Sequence, residues 1–294
     1  MKISERGACL EQRNKTRKIF SPIALLVLLA AFLGIWISVF ASSEKNLEVT
    51  FFDVGQGDSA LIEFPDGKNA LIDGGPDKKV LEGLGKEMPF YRRKLDIIFL
   101  SHPHADHLAG IIHVMKRYEV GRIVMTDAIH TSPEYEEFLK IIKEKNIPVT
   151  KTVQGTEFDF GNSAEAKILY HEGALKTENL NDTSAIIFLN YQESGFLFMG
   201  DLEKDASGSI LTLNPELSTD VIKVPHHGSQ DAFNENLYQK TGAKYAVISV
   251  GANKYGHPYP PLLDFFQNSN IKLLRTDQDG NIEFVSDGRN LKNK

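Results

Sequence analysis

The chain has 294 residues, 41% of them hydrophobic and 24% charged, an ordinary globular composition with room for one large core or two small ones. A single cysteine, Cys9, excludes an intramolecular disulfide framework and any thiolate cluster, so a bound metal must rest on histidines and carboxylates. The net charge is −6, but residues 1–18 carry six Lys/Arg against two Glu, and the difference leaves −10 on residues 19–294, a body too acidic for tight non-specific binding to duplex DNA.

After the basic tail of residues 1–18, expected to be cytoplasmic, Ile19–Phe40 carries no charged residue. As a helix it would match the roughly 30 Å hydrocarbon thickness of a bilayer, with Pro22 tolerated near its start and Trp36 near its far interface. The basic flank predicts the N-terminus inside, so residues 19–41 read as a single transmembrane anchor at the cell membrane with everything after it outside. The alternative is a cleaved signal peptide and a secreted domain, since Val39-Phe40-Ala41 resembles a cleavage site.

Residues 42–294 form the exported domain. Val49–Asp53, Ser59–Phe64 and Asn69–Ile72 read as strands, separated by Gly-rich turns. A helix is expected over Lys78–Lys86, a strand over Asp96–Ser101, and a helix from about His107 through Ile111, Val114 and Met115. Ile123–Thr126 is a further strand, and Ser132-Pro133-Glu134 opens a helix to about Lys145. The second half offers strands at Ala166–Tyr170, Ser184–Tyr191, Gly195–Met199, Asp220–Val224, Tyr245–Ser249 and Lys272–Arg275. Helices are expected over Leu202–Leu211, Asn234–Thr241 and Pro261–Asn268. Two strand-rich halves with interleaved helices predict two sheets face to face and helices outside them.

The sharpest feature is Ser101-His102-Pro103-His104-Ala105-Asp106-His107, between an apolar strand and a helix. Neutral imidazoles and a carboxylate are the ligands zinc takes when thiolates are absent. His102 and His104 can point the same way from an extended loop, while Asp106 and His107 can serve a second metal. The spacing suits two divalent cations, which activate water and stabilise the charge that develops on an ester, amide or phosphoryl centre. Two more strands end in ligand types. Asp201 follows Gly195–Gly200; alone it would read as a helix N-cap, but beside the histidines it reads as a bridging carboxylate. Val221–Val224 leads to Pro225-His226-His227-Gly228-Ser229, where His226 is the preferred ligand and His227 faces substrate or supports from behind, although the two could exchange roles.

These motifs, with Asp53-Val54-Gly55-Gln56-Gly57-Asp58-Ser59, Ile72-Asp73-Gly74-Gly75, Asn181-Asp182-Thr183-Ser184 and Gly256-His257-Pro258, resemble the metallo-β-lactamase superfamily. The nearer resemblance is to the exported hydrolase domain of ComEC-type competence proteins, over about Glu48–Val285. It implies an α/β fold, the four-layer αβ/βα sandwich, with metals at the sheet edge. It also implies that His102 and His104 bind one metal, that Asp106, His107 and His226 bind the other, and that Asp201 bridges them. Asp73 would fix the histidine loop, as metal ligands generally require. Asn181 stands where most superfamily members have a third histidine, a weaker ligand that makes manganese an alternative to zinc. Asp106, His227 and His257 are the candidate catalytic residues, His257 as a phosphate contact or general acid. Ser229, Gly228 and Lys223 would add donors at the leaving group; His113, His130 and His171 are read as incidental.

The resemblance favours phosphodiester cleavage of single-stranded DNA at the cell surface. Competence proteins join this domain to a multi-helix channel, so uptake would need a separate channel partner. Lactone or β-lactam hydrolysis, and a surface module that keeps metal without turnover, are the alternatives. A basic lip of Lys223, Lys254 and Arg275 would favour nucleic acid; a deep apolar pocket would favour a small ester.

Overall fold

The computed structural model describes residues 22–41, 46–153, 155–169 and 179–294; the basic tail of residues 1–18, the start of the apolar run and His171 lie outside them. Two compact units emerge, Met1–Glu44 and Lys45–Lys294. In the first, Pro22–Ala41 is a 20-residue helix without a charged residue. Among the described residues no helix is long and apolar enough to cross a membrane.

The second unit is built on two sheets. The eight-stranded sheet runs in the order Leu291–Asn293, Ile282–Ser286, Leu47–Phe51, Ala60–Glu63, Asn69–Ile72, Ile97–Leu100, Ile123–Met125, Val149–Lys151. Pairing is antiparallel from Leu291–Asn293 to Asn69–Ile72 and parallel from there outward. The seven-stranded sheet runs Lys272–Arg275, Tyr245–Ile248, Val221–Lys223, Ser194–Phe198, Ile186–Tyr191, Ala164–Leu169, Glu157–Asp159. Its first four strands are parallel and the rest antiparallel.

Alternation along the strands sorts the apolar side chains into three layers of contact. Phe51, Ile62, Phe99, Ile187, Phe198 and Phe284 belong to the core between the sheets. Phe51 there stacks on Phe198 of the other sheet at 5.5 Å. Leu61, Leu71 and Ile98 face the other way, under the helices Val80–Glu87, Ala105–Arg117 and Pro133–Lys145. Leu197, Ile222 and Ala246 likewise pack under Lys204–Leu213, Glu235–Thr241 and Pro260–Gln267. The result is helix, sheet, sheet, helix.

Local chemistry explains the element ends. Leu108, Ile111, Ile112 and Met115 give Ala105–Arg117 one buried face, and Lys116 and Arg117 sit in its last turn, where the helix dipole favours cations. In Pro133–Lys145, Ser132 caps the start by accepting from Tyr135 N, and Asn146 ends the helix in a left-handed conformation. The expected helices over Lys78–Lys86 and Leu202–Leu211 begin two residues later, at Val80 and Lys204. Six strands among the described residues lie outside the sequence expectation: Lys94–Leu95 and Glu119–Val120, which pair as a small parallel sheet of their own, and Val149–Lys151, Glu157–Asp159, Ile282–Ser286 and Leu291–Asn293.

Candidate metal centre

Strand ends from both sheets converge on one rim. Ile97–Leu100 delivers Ser101–His104, and His104 stands in extended conformation at the start of the helix that carries Asp106 and His107. Gly110 locks this helix to the turn after Asn69–Ile72: its N–H donates to Gly75 O at 2.9 Å, and a Cβ there would lie 1.7 Å from Gly74 O. Gly74 N donates in turn to His107 O at 2.7 Å. From the other sheet come Asp201, after the left-handed Gly200, and the turn Pro225–Gly228.

Asp73 organises the histidine loop. Its carboxylate accepts from Ser101 N at 2.8 Å, Ser101 Oγ at 2.7 Å and His107 Nδ1 at 2.8 Å. Those bonds aim His107 Nε2 at Asp201 Oδ1, 3.3 Å away. Both atoms are buried, yet neither has a hydrogen-bond partner among the described residues. Around them the ligand atoms of Asp106, His107, Asp201 and His227 lie within 4.8 Å of one another. A second set of the same compactness is His102, His104 and Asp201. His102 Nε2 is 2.9 Å from His104 Nδ1 and 3.8 Å from Asp201 Oδ2. Asp201 is therefore common to both sets. Two orphaned donor-type atoms facing each other, with imidazole and carboxylate donors around them, fit a pair of divalent cations.

The electrostatics agree. Burial alone would depress His107, but Asp201, Asp73 and Asp58 outweigh it and hold the ring well above the ordinary histidine range. The same contest, burial against Asp201, Asp106 and Asp58, raises His227 to about 10. Burial is likewise overcome at Asp201, which His107, His227 and His102 keep well below the usual carboxylate value. Such a field favours any cation. Burial keeps His102 well below its ordinary value and lowers His104, leaving neutral imidazoles with lone pairs to donate.

The two adjacent histidines differ from the sequence expectation. Both adopt the left-handed conformation, at φ 50° for His226 and 52° for His227, which swings their side chains apart. It is His227 that enters the four-residue set, 1% exposed, with Nδ1 2.8 Å from Ser249 O. Its Nε2 is 3.3 Å from Asp106 Oδ2 and 3.6 Å from Asp201 Oδ2. His226 sits at the rim, its Nε2 4.0 Å from Asp201 Oδ2 and its ring 5.5 Å from that of His257. Asn181 Nδ2 donates to Glu203 Oε1 at 3.1 Å, and its carbonyl accepts from Ser184 Oγ, which in turn accepts from Asp201 N. The buried Asn181 Oδ1 has no hydrogen-bond partner among the described residues.

Other expectations change as well. Lys223 is no lip residue: it is 2% exposed, paired with Asp58 and donating to Gly200 O at 3.3 Å, because its strand is covered on both faces. Arg275 is paired with Asp277 at 2.7 Å. Ser229 is buried, its Oγ accepting from Ala232 N, so it holds the turn and does not face a leaving group. His130, read as incidental, lies with its ring 6.0 Å from that of His104. Asp58 went unassigned in the sequence, yet its Oδ1 is 3.3 Å from His227 Nδ1, and with Asp73 and His107 it forms a third compact set. The available signal was a carboxylate at the mouth of a strand, directly after Gly55-Gln56-Gly57.

Residues 52–252 match the family model of the metallo-beta-lactamase superfamily. The chain belongs to that superfamily. It is 29% identical over 255 residues to ComE operon protein 3 of Bacillus subtilis (strain 168), covering 81% of this chain and 33% of that protein. It is 28% identical over 249 residues to Competence protein ComA of Neisseria gonorrhoeae, covering 83% and 33%. The chain thus spans about a third of the length of these curated relatives. The metallo-beta-lactamase fold protein YhfI from Bacillus subtilis superposes with a TM-score of 0.58 at 14% identity, over 82% of this chain and all of that one, a likeness of fold. Membership carries the coarse function, metal-dependent hydrolysis at a candidate two-metal site, and the relatives keep the competence-type resemblance.

Proposed function

We propose that this protein is a two-metal phosphodiesterase acting on single-stranded DNA at the outer face of a membrane. The observation that carries the reading is the sharing of Asp201 between two ligand sets, beside the orphaned His107 Nε2. His102 and His104 with Asp201 would hold one cation, and Asp106, His107 and His227 with Asp201 the other. Bound there, two divalent metals supply Lewis acidity and an activated water to a phosphodiester. Nitrogen donors with carboxylates suit zinc; the asparagine at Asn181 adds oxygen character that suits manganese.

The chain's own groups do the orienting. Asp73 keeps the His107 proton on Nδ1, so that Nε2 offers its lone pair. Ser249 O does the same for His227. His257, part exposed at the rim beside His226, is assigned the contact to a substrate phosphate. Two competence-named relatives support the nucleic-acid substrate, and the uncharged helix Pro22–Ala41, whose Ile23 and Leu26 are exposed, supports the anchor. A separate channel protein would then receive or supply the strand.

The test uses the full chain purified in detergent, loaded with zinc or manganese and given labelled single-stranded DNA beside the double variant Asp106→Ala, His107→Ala. Metal-dependent cleavage absent from the variant supports the reading. Stoichiometric metal without cleavage sinks the nuclease assignment and moves the search to lactones and other small esters. Protease protection of intact cells, probing which side the hydrolase unit occupies, tests the topology.

A further inference from the structure

Beyond His226 the rim of the centre continues as a row of rings. The His257 ring lies 5.8 Å from that of Tyr255, and the two are nearly parallel, at 23°. Tyr255 is 66% exposed and belongs to none of the three apolar cores. Its loop is nevertheless built firmly. Asn253 Oδ1 accepts from Tyr255 N at 3.0 Å and from His257 N at 3.1 Å, while its Nδ2 donates to Gly251 O and His257 O. Gly251 packs so closely on the turn at Gly55 that a Cβ would come within 2.5 Å of Gly55 C, and Tyr259 N donates to Gly228 O at 2.8 Å. The loop is thus clamped between the Gly55–Asp58 turn and the turn that carries His226 and His227. Exposed Lys254 keeps its ammonium 5.9 Å from the Tyr255 ring centroid.

We propose that Tyr255 is a stacking platform for a nucleobase of the single-stranded substrate, with Lys254 neutralising a neighbouring phosphate. This rests on the phosphodiesterase reading above. The charge balance favours it: with −10 on residues 19–294, and with Lys223 and Arg275 committed to Asp58 and Asp277, electrostatics alone grips a polyanion poorly. Stacking needs no net charge and accepts any base, because every base has a π-face. A ring already fixed by its loop loses little freedom on binding. A duplex keeps its bases inside and offers none to the ring, so the platform selects single strands.

The experiment uses the full chain loaded with manganese and a labelled ten-nucleotide thymidylate, plus a series in which each position in turn is abasic. Tyr255→Ala is expected to raise KM roughly 5–150-fold, the span of one lost base stack. Tyr255→Phe should stay within about twofold, since the hydroxyl does not stack. In the wild type one abasic position should raise KM by a similar factor, and in Tyr255→Ala that same position should add nothing. Bound manganese and thermal midpoint, measured on each variant, separate this from damage to the centre. A Tyr255→Ala variant within twofold of wild type, or an abasic penalty undiminished in it, overturns the platform while the phosphodiesterase reading stands. A wild type that cleaves no single-stranded oligonucleotide overturns both.

Discussion

Changing Asp73 to Asn isolates the orientation of His107 from the fold. Asn tolerates the left-handed backbone at φ 55°, and its amide oxygen can still accept from Ser101 N. What changes is the oxygen facing His107 Nδ1 at 2.8 Å, which becomes an NH₂. That group can only donate, so it favours the tautomer with the proton on Nε2, the atom that faces Asp201 at 3.3 Å. The metal's lone pair is then lost unless the wrong tautomer is reversed at a cost. Losing such an outer partner typically weakens metal binding about 10–100-fold, or about 1.4–2.8 kcal/mol. Competition with a chromophoric chelator for zinc, on the full chain, reads this directly. The metal-free thermal midpoint should move little, because two of the three hydrogen bonds at Asp73 can be kept. Zinc affinity within twofold of wild type would refute the reasoning, and so would a loss of affinity matched by a collapse of the metal-free fold.

Other perturbations test the interior. Tyr238 is fully buried with its hydroxyl unpartnered among the described residues, while its ring packs on Phe266 at 4.9 Å; Tyr238→Phe should therefore stabilise by about 1 kcal/mol in urea unfolding. A loss of 1 kcal/mol instead would reveal a partner for that hydroxyl. Lys223→Met removes the ammonium paired with the buried Asp58 carboxylate, leaving it His227 and His107 alone, and should cost up to about 3–5 kcal/mol, much of it recovered in the double variant with Asp58→Asn; a double variant no better than the single refutes the pairing. Glu63 is raised above its ordinary 4.5, chiefly by burial, against the pull of Arg92 and with Glu48, Glu87 and Glu283 adding to it. The fold thus favours its neutral form, so its contribution is lost as pH rises from the unfolded value through the folded one. Glu63→Gln should stabilise at pH 7 and make no difference at pH 3.5; equal stability at both values contradicts this.

The sequence was legible where the answer is local. Asn69–Ile72 and Ile123–Met125 are apolar runs with turn residues beside them, and Ser132-Pro133 marks a helix start by its own chemistry. The histidine loop was equally plain, because its ligand types crowd into six residues at a strand end. What escaped depends on distant partners. Ile282–Ser286 is a short alternating stretch whose pairing with Leu47–Phe51 no local pattern reveals. Val149–Lys151 is a largely exposed edge strand with no apolar signal. Lys223 looks like a rim residue until Asp58, 165 positions earlier, closes over it. His226 and His227 are adjacent and chemically identical; partners distant in sequence, Ser249 O and Asp58 behind one of them and Asp106 before it, hold His227 inward.

That late strand also sets an order of events. Leu47–Phe51 is among the first parts of the hydrolase unit to be synthesised, and one of its two neighbours, Ile282–Ser286, follows about 230 residues later. At 5–20 residues per second the wait is roughly 10–50 s. Throughout it, one edge of Leu47–Phe51 offers unpaired backbone groups to any passing strand. The nascent chain therefore cannot close its first sheet until Ile282–Ser286 has been made, and holding that edge apart from other chains is a task for whatever escorts it.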